Sequence, residues 1–146
     1  DFFESAVAAC QSLRRPGLLM SSYPNNFPQN LPPWIQAASY VSFRKLLPHC
    51  SVIVHHGGIG TTSQALAAGA AQVVRPLAFD QFDNATRVEQ LGCGVWLRND
   101  SQLTRKLGEV LDSETVRANC RAIASRFGET DAAATAANII QETVDP

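Results

Sequence analysis

The residues best suited to chemistry lie in one short segment, 54–62, which reads Val-His-His-Gly-Gly-Ile-Gly-Thr-Thr and which we call the glycine junction. Its glycines would let the backbone approach a ligand closely, and a helix predicted to begin at Thr61 would leave free N–H groups at its start. Such a helix start attracts anions, of which phosphate is the commonest candidate. His56 and the hydroxyls of Thr61 and Thr62 would add donors to phosphate oxygens. The alternative is a glycine-rich turn that only packs the helix against the preceding strand.

A second polar segment, 76–84, reads Pro-Leu-Ala-Phe-Asp-Gln-Phe-Asp-Asn, and we call it the acidic junction. Asp80 and Gln81 stand at the predicted start of a helix. A carboxylate accepts hydrogen bonds from hydroxyls, and an amide both donates and accepts, so the pair suits the edge of a sugar. The alternative is that Asp80 is only the N-cap of the helix, and the two roles are compatible.

Two other kinds of chemistry find little support in the residue pattern. The candidate metal ligands are close in sequence, but neighbouring residues on a strand point to opposite faces and cannot share an ion; they are His49, Cys50, His55 and His56. No Gly-x-Ser-x-Gly segment supports a serine nucleophile. We therefore predict no metal site, no cofactor and no catalytic residue within this chain.

The elements that must position both junctions follow from apolar runs of strand length at 18–20, 34–41, 51–54, 71–74 and 93–97. Helical patterns separate most of them, and three more helices follow the last strand: the first is capped by Ser101, the second is capped by Ser113 and stopped by Gly128, and the third starts at Thr130 or Asp131. This alternation predicts one domain over residues 1–146 with a parallel sheet and helices on both faces. Such sheets bind ligands at the carboxyl ends of their strands. Because the chain opens with a helix rather than a strand, we expect the first strand to be missing.

Composition excludes some partners. The net charge of −1 argues against an electrostatic hold on nucleic acid or on an anionic membrane, and no apolar run is long enough to span a bilayer. The four cysteines are widely spaced, which favours free thiols in a reducing compartment and therefore a cytoplasmic location.

Taken together, His-His-Gly-Gly-Ile-Gly-Thr-Thr at 55–62 and Pro76 followed by Asp80-Gln81 and Asn84 resemble the donor-binding signature of family 1 glycosyltransferases. The residues of these two motifs are most similar to those of bacterial and fungal members that act on lipid, sterol or macrolide acceptors. The resemblance covers nearly the whole chain. It implies a Rossmann-like α/β fold, the C-terminal half of the two-domain GT-B architecture.

The resemblance also implies roles for particular residues. The donor diphosphate would be bound by His56, Gly58, Gly60, Thr61 and Thr62, and the transferred sugar by Asp80 and Gln81. The base and ribose would be bound by Tyr40, Val41, Phe43 and Gln64. Two of these depart from the pattern of plant relatives, which carry a glutamate at the position of Gln64 and a glutamine at that of Phe43.

The implied reaction is an inverting, metal-independent transfer of a hexose from a nucleoside-diphosphate sugar to a hydroxyl of a small or lipid-like acceptor. UDP-glucose is the default donor substrate that the resemblance implies, and the choice between UDP and dTDP stays open. In such families the catalytic base lies in an N-terminal acceptor-binding domain, which is absent here, so we expect the fragment alone to be inactive. The acceptor class allows peripheral membrane association of the full-length enzyme. Three alternatives stay open: another GT-B enzyme, such as a nucleotide-sugar epimerase or a GlcNAc transferase; a non-catalytic nucleotide-binding module; and a scaffold with a vestigial site.

Overall fold

The computed structural model describes residues 2–127 and 132–144. The helices in this part are α1 (Phe2–Leu13), α2 (Phe43–Leu46), α3 (Ile59–Ala67), α4 (Gln81–Gln90), α5 (Leu103–Asp112), α6 (Glu114–Ala124) and α7 (Ala132–Val144). The strands are β1 (Gly17–Met20), β2 (Ile35–Ala38), β3 (Val52–His55), β4 (Ala71–Val74) and β5 (Gly94–Trp96). None of the helices within these ranges is long and apolar enough to cross a membrane.

The predicted alternation of strands and helices is confirmed, with differences of a few residues at the ends. One difference matters for function, because α3 begins at Ile59 and not at Thr61. The reason is local: Gly58 has extended backbone angles, and its carbonyl accepts hydrogen bonds from the N–H groups of Thr61 and Thr62. The predicted helix end at Gly128 and start at Thr130 or Asp131 lie outside the described residues.

All strand pairs are parallel, as predicted, but they form two sheets and not one. β1 pairs with β2, and β3, β4 and β5 pair in that order. The expectation of a single sheet is therefore wrong for the described residues. No strand among them lies between β1 and β3, so each of these two strands is the edge of its own sheet.

The core is centred on β4. All four residues of this strand are buried, because helices cover both faces of the larger sheet. On one face, Ala71 and Val73 belong to a cluster that includes residues of α1, α5 and α6. On the other face, Val74 packs with Ala85 and Val88 of α4. The carboxyl ends of β3 and β4, where the two junctions begin, are thus held by a well-packed strand.

Candidate functional site

The glycine junction is shaped by Gly57, which follows β3. This residue is buried and has a φ of +92°, a conformation that residues with a side chain rarely adopt. A Cβ atom at this position would lie 2.7 Å from Cγ1 of Val74 and 3.1 Å from the backbone oxygen of Gln81. The absence of a side chain therefore lets the glycine junction pack directly on β4 and on the first residue of α4.

The side chain of His55 fixes this turn by a hydrogen bond to the backbone of Gly57. Its Nδ1 accepts a hydrogen bond from the N–H of Gly57 at 3.1 Å, so the proton of the neutral ring is on Nε2. Nε2 lies 2.9 Å from Oε1 of Gln72, a residue of β4 that is completely buried. Burial lowers the pKa of His55 to about 4, against the opposing hydrogen bond to Gln72, and the charge of His56 lowers it further. His55 is therefore a neutral positioning residue and not a ligand-binding one.

Asn84 joins the two junctions. Its Nδ2 donates to the backbone oxygen of Gly57 at 2.9 Å and to Oδ2 of Asp80 at 3.0 Å. The side chain is almost fully buried. A continuous chain of hydrogen bonds therefore connects Gln72, His55, Gly57, Asn84 and Asp80.

The start of α3 presents free donors. The N–H groups of Thr61 and Thr62 bond to the oxygen of Gly58, whereas those of Ile59 and Gly60 have no hydrogen-bond partner within the described part of the chain. Thr62 is buried and its hydroxyl donates to the oxygen of Gly58 at 3.1 Å, so it stabilises the helix start from inside. Its assignment as a diphosphate contact stays a prediction, as does that of the half-buried Thr61.

His56 points away from the core and is exposed. A Cβ atom on Gly58 would lie only 2.6 Å from Nε2 of His56, which means that the imidazole lies directly against Gly58 at the start of α3. The imidazole therefore lies next to the helix start at which the N–H groups of Ile59 and Gly60 are free. This arrangement suits an anion with several oxygens, such as a phosphate.

Hydrogen bonds within the acidic junction fix its backbone before the start of α4. Oε1 of Gln81 accepts from the N–H groups of Leu77 and Ala78, at 2.8 and 3.1 Å. Asp80 occupies the N-cap position of α4, as the alternative predicts. Its side chain makes no capping hydrogen bond, so the prediction that its carboxylate caps the helix is wrong. Its neighbour Phe79 has a φ of +57° and is 90% exposed. The junction therefore presents its carboxylate, an amide and an aromatic ring to the outside.

The four residues predicted to bind base and ribose differ in how closely the structure ties them to the glycine junction and α3. Phe43 packs in a small cluster with Leu47 and with Ala65 of α3, which places α2 beside α3. Nε2 of Gln64 donates to the backbone oxygen of Gly60, so this side chain already has a partner in its own helix. Tyr40 is 80% exposed after the end of β2, and Val41 follows it half-buried. Their contacts with a nucleoside stay predictions.

Few charged groups contribute to the site. The guanidinium of Arg75, which follows β4, binds both carboxylate oxygens of Asp100 at 2.5 and 2.8 Å. Among residues 2–127 and 132–144, no group of three or more His, Cys, Asp or Glu side chains is arranged to hold a metal ion. The donors that the glycine junction offers to an anion are therefore the N–H groups at the start of α3 and the imidazole of His56.

Three positioning residues were missed by sequence reasoning. Asn84 entered only as a letter of the motif, and His55 and Gln72 were not assigned a role. The spacing of Asp80 and Asn84, four residues apart at a helix start, was a usable signal, because such residues are neighbours on a helix. Gln72, a polar residue inside the apolar strand 71–74, was another.

Residues 22–145 match the family described as "Erythromycin biosynthesis protein CIII-like, C-terminal domain". A sterol 3-beta-glucosyltransferase of Neosartorya fischeri is 34% identical over 117 residues, which are 79% of this chain and 8% of that protein. One of Eremothecium gossypii is 36% identical over 108 residues, which are 73% of this chain and 9% of that protein. The chain thus spans less than a tenth of the length of these relatives.

Solved structures share the fold. A calicheamicin glycosyltransferase superposes with a TM-score of 0.83 over 97% of this chain and 37% of its own, at 23% identity, a level that carries the fold alone. A spinosyn rhamnosyltransferase complexed with thymidine diphosphate has a TM-score of 0.77 and 26% identity, over 85% of this chain and 36% of its own. The predicted α/β architecture is confirmed as that of GT-B glycosyltransferases.

The lowered pKa of His55 makes the fold sensitive to acid. Between its ordinary value of 6.5 and its folded value of about 4, the unfolded chain binds a proton that the folded chain does not. Stability contributed by neutral His55 is therefore present above pH 6.5 and is lost as pH falls toward 4. We expect the free energy of unfolding, measured with urea, to drop by about 2 kcal/mol between pH 7 and pH 5 from this residue. His56→Gln should keep this slope and His55→Gln should lose it; equal slopes in both variants would refute the assignment.

The link between the junctions can be tested at Asn84. Asn84→Ala removes both of its hydrogen bonds and leaves the oxygen of Gly57 without its donor, so we expect a loss of about 1–3 kcal/mol in urea unfolding. Thr86→Ala is the control, because Thr86 is on the same helix and its hydroxyl bonds only to the exposed backbone oxygen of Phe82. That variant should stay within about 0.5 kcal/mol of the original. A cost at Asn84 no larger than at Thr86 would mean that the link does not stabilise the fold.

Proposed function

The chain belongs to the family of erythromycin biosynthesis protein CIII-like C-terminal domains, and from this membership we propose that it is the part of a glycosyltransferase that binds the nucleoside-diphosphate sugar. The observation that carries the proposal is the anion site at the start of α3. Free N–H groups at Ile59 and Gly60 stand at the start of this helix, and the imidazole of His56 lies against Gly58, its N-cap, beside a turn that Gly57 keeps free of side chains. A diphosphate supplies the several negative oxygens that these donors suit.

The sugar would lie at the acidic junction, which Asn84 ties to the glycine junction. Because Oε1 of Gln81 is occupied by the N–H groups of Leu77 and Ala78, its Nε2 is the atom left to donate to a sugar hydroxyl. Oδ2 of Asp80 already accepts from Asn84, which leaves Oδ1 to accept from another hydroxyl. One donor and one acceptor, each with its other atom fixed, would recognise two neighbouring hydroxyls of a hexose.

We propose inverting hexosyl transfer as the reaction of the whole enzyme. An acceptor hydroxyl would attack the anomeric carbon, forming the new C–O bond while the bond from that carbon to the diphosphate oxygen breaks. The start of α3 and His56 would stabilise the charge that develops on the leaving diphosphate, without a metal ion. The proton of the acceptor would pass to a base in an N-terminal acceptor-binding domain, so this chain alone would not turn over.

Relatives suggest the donor and the acceptor class. Two fungal relatives are named as sterol glucosyltransferases, and one solved neighbour was complexed with thymidine diphosphate. We propose glucose as the sugar, UDP as the carrier to be tested first against dTDP, and a small or lipid-like hydroxyl compound as acceptor. Such an acceptor would bring the full-length enzyme to a membrane surface at its periphery. The four free thiols support a cytoplasmic location.

Calorimetric titration with UDP, dTDP and UDP-glucose, without metal, tests the donor site. We expect saturable binding, and the ligand that binds most tightly identifies the donor. His56→Ala should weaken it at least about tenfold, because a hydrogen bond to a charged group contributes about 1.5–3 kcal/mol. If no ligand binds, either to this chain or to a chain that also carries an acceptor-binding domain, the proposal fails. Equal binding by His56→Ala would remove His56 from the site.

Gly60→Ala tests whether the diphosphate contacts the backbone. A Cβ atom at Gly60 would have no atom within 4 Å, so the fold should be unchanged or up to about 1 kcal/mol more stable. Against a bound diphosphate the same atom would intrude, and we expect the affinity for UDP to fall at least about tenfold. Gly108→Ala, the same change within α5, should leave affinity unchanged. Unaltered UDP binding by Gly60→Ala would place the ligand elsewhere.

A further inference from the structure

A cavity lies at the amino ends of the strands, opposite the two junctions. It has a volume of about 340 Å³, and its lining includes Arg15 before β1, Ser51 before β3 and Gly69 before β4. The glycine junction begins at the other end of β3, and the four residues of that strand span about 13 Å. The cavity is therefore separate from the proposed donor site.

The lining of this cavity is rich in positive charge. It contains Arg15, Arg117 and Arg121, and none of the described residues that line it is acidic. Arg117 and Arg121 are four residues apart on α6, so they lie on the same face of the helix, where like charges destabilise it. Such a concentration of arginines stands out in a chain whose net charge is −1. We call this feature the basic cavity.

Arg117 is fixed in place by two hydrogen bonds. Its Nη1 donates to the backbone oxygen of Leu111, and its Nη2 donates to Oε1 of Glu114 at 2.5 Å. Glu114 and Asp112, the carboxylates whose charges act on Arg117, do not line the cavity. The Nε of Arg117 has no hydrogen-bond partner within the described part of the chain. One guanidinium of the basic cavity is thus held in position and still has a donor to offer.

The other two arginines have no such partners. Arg15 and Arg121 are exposed, and neither forms an ion pair within residues 2–127 and 132–144. The backbone of Arg15 is fixed at the end of α1, because its N–H donates to the oxygen of Cys10 at 2.9 Å. Arg121 acts on Glu114 by charge alone. Their guanidinium groups are therefore available to an anion from solution.

The arrangement of the three arginines favours a phosphate group over a carboxylate. A guanidinium binds either anion through pairs of N–H groups. A carboxylate has its two oxygens in one plane, whereas a phosphate group carries more charge and has three acceptor oxygens in different directions. Because Arg15 follows α1 and the other two arginines belong to α6, an anion that all three bind must accept from more than one direction.

We propose that the basic cavity binds the phosphate group of a small soluble molecule through Arg15, Arg117 and Arg121. Its volume lies within the range of small-molecule sites, so the ligand can be larger than phosphate itself. Such a ligand would bind at the opposite end of β3 from a nucleoside diphosphate and would not compete with it. This inference rests on the basic cavity and is independent of the proposed function.

NMR titration of the chain with inorganic phosphate tests the proposal. Ionic strength is kept constant with sodium chloride, and the Nε–H signals of the three arginines and the backbone amides of Ser51 and Gly69 are followed. We expect saturable shifts at these groups and an affinity for acetate at least about tenfold lower. Arg15→Gln and Arg121→Gln should each weaken phosphate binding at least about tenfold, because each removes hydrogen bonds to a charged group.

Two control variants separate the basic cavity from other effects of charge. Arg87→Gln removes the same charge from an exposed position on α4 and should leave the affinity of the cavity for phosphate unchanged. His56→Ala should also leave it unchanged, because His56 lies at the other end of β3. Equal weakening by Arg87→Gln and Arg121→Gln would overturn the proposal, since net charge alone would then explain the binding.

Two further results would also contradict the proposal. One is a set of shifts that grows linearly with phosphate and does not saturate. The other is binding to phosphatidylcholine vesicles that contain phosphatidic acid, measured by sedimentation, without any response to inorganic phosphate. In that case the partner would be a membrane surface and not a small molecule in the cavity.

Discussion

The site depends on one chain of hydrogen bonds that begins in the core. Gln72, buried in the central strand, fixes the ring of His55, which holds the N–H of Gly57, whose oxygen in turn holds Asn84. Gly57 can adopt its φ of +92° and pack against Val74 and Gln81 only because it has no side chain. Buried polar groups that are linked in this way favour one conformation, since another arrangement would leave more of them without a partner. In the part of the chain that the structure describes, Nε2 of Gln72 is the buried side-chain atom that still lacks a hydrogen bond. The two junctions are therefore positioned together and not separately.

The central strand makes this arrangement possible. β4 is buried along its whole length, which fixes Gln72 and Val74 under the glycine junction and aligns the residues that follow it with α4. The same strand keeps His55 away from water, and this burial is what keeps the imidazole neutral. Packing of the core and chemistry of the site are thus linked at two residues, Gln72 and Val74.

Sequence reasoning predicted the strands, their parallel direction and both junctions, because these depend on local periodicity and on residue types at strand ends. It did not predict the break between β1 and β3, since the pairing of strands depends on contacts between residues that are far apart in sequence. The start of α3 was placed two residues late because the hydrogen bonds to the oxygen of Gly58 depend on backbone angles. Asn84 and Gln72 received no positioning role for a related reason: their partners are far away in sequence and are brought close only by packing.

The adjacent histidines at the end of β3, His55 and His56, differ in their burial and in their surroundings. Neighbouring residues in extended backbone point to opposite sides, so one imidazole enters the core while the next faces solvent over Gly58. The inner ring must stay neutral to accept from Gly57, whereas the outer ring, in the role that we propose for it, would donate to an anion. A charge on the inner ring would place a second donor where the turn needs an acceptor, and the turn would lose its anchor. The difference in burial between two consecutive residues therefore makes one imidazole a fixed support and leaves the other accessible to a ligand.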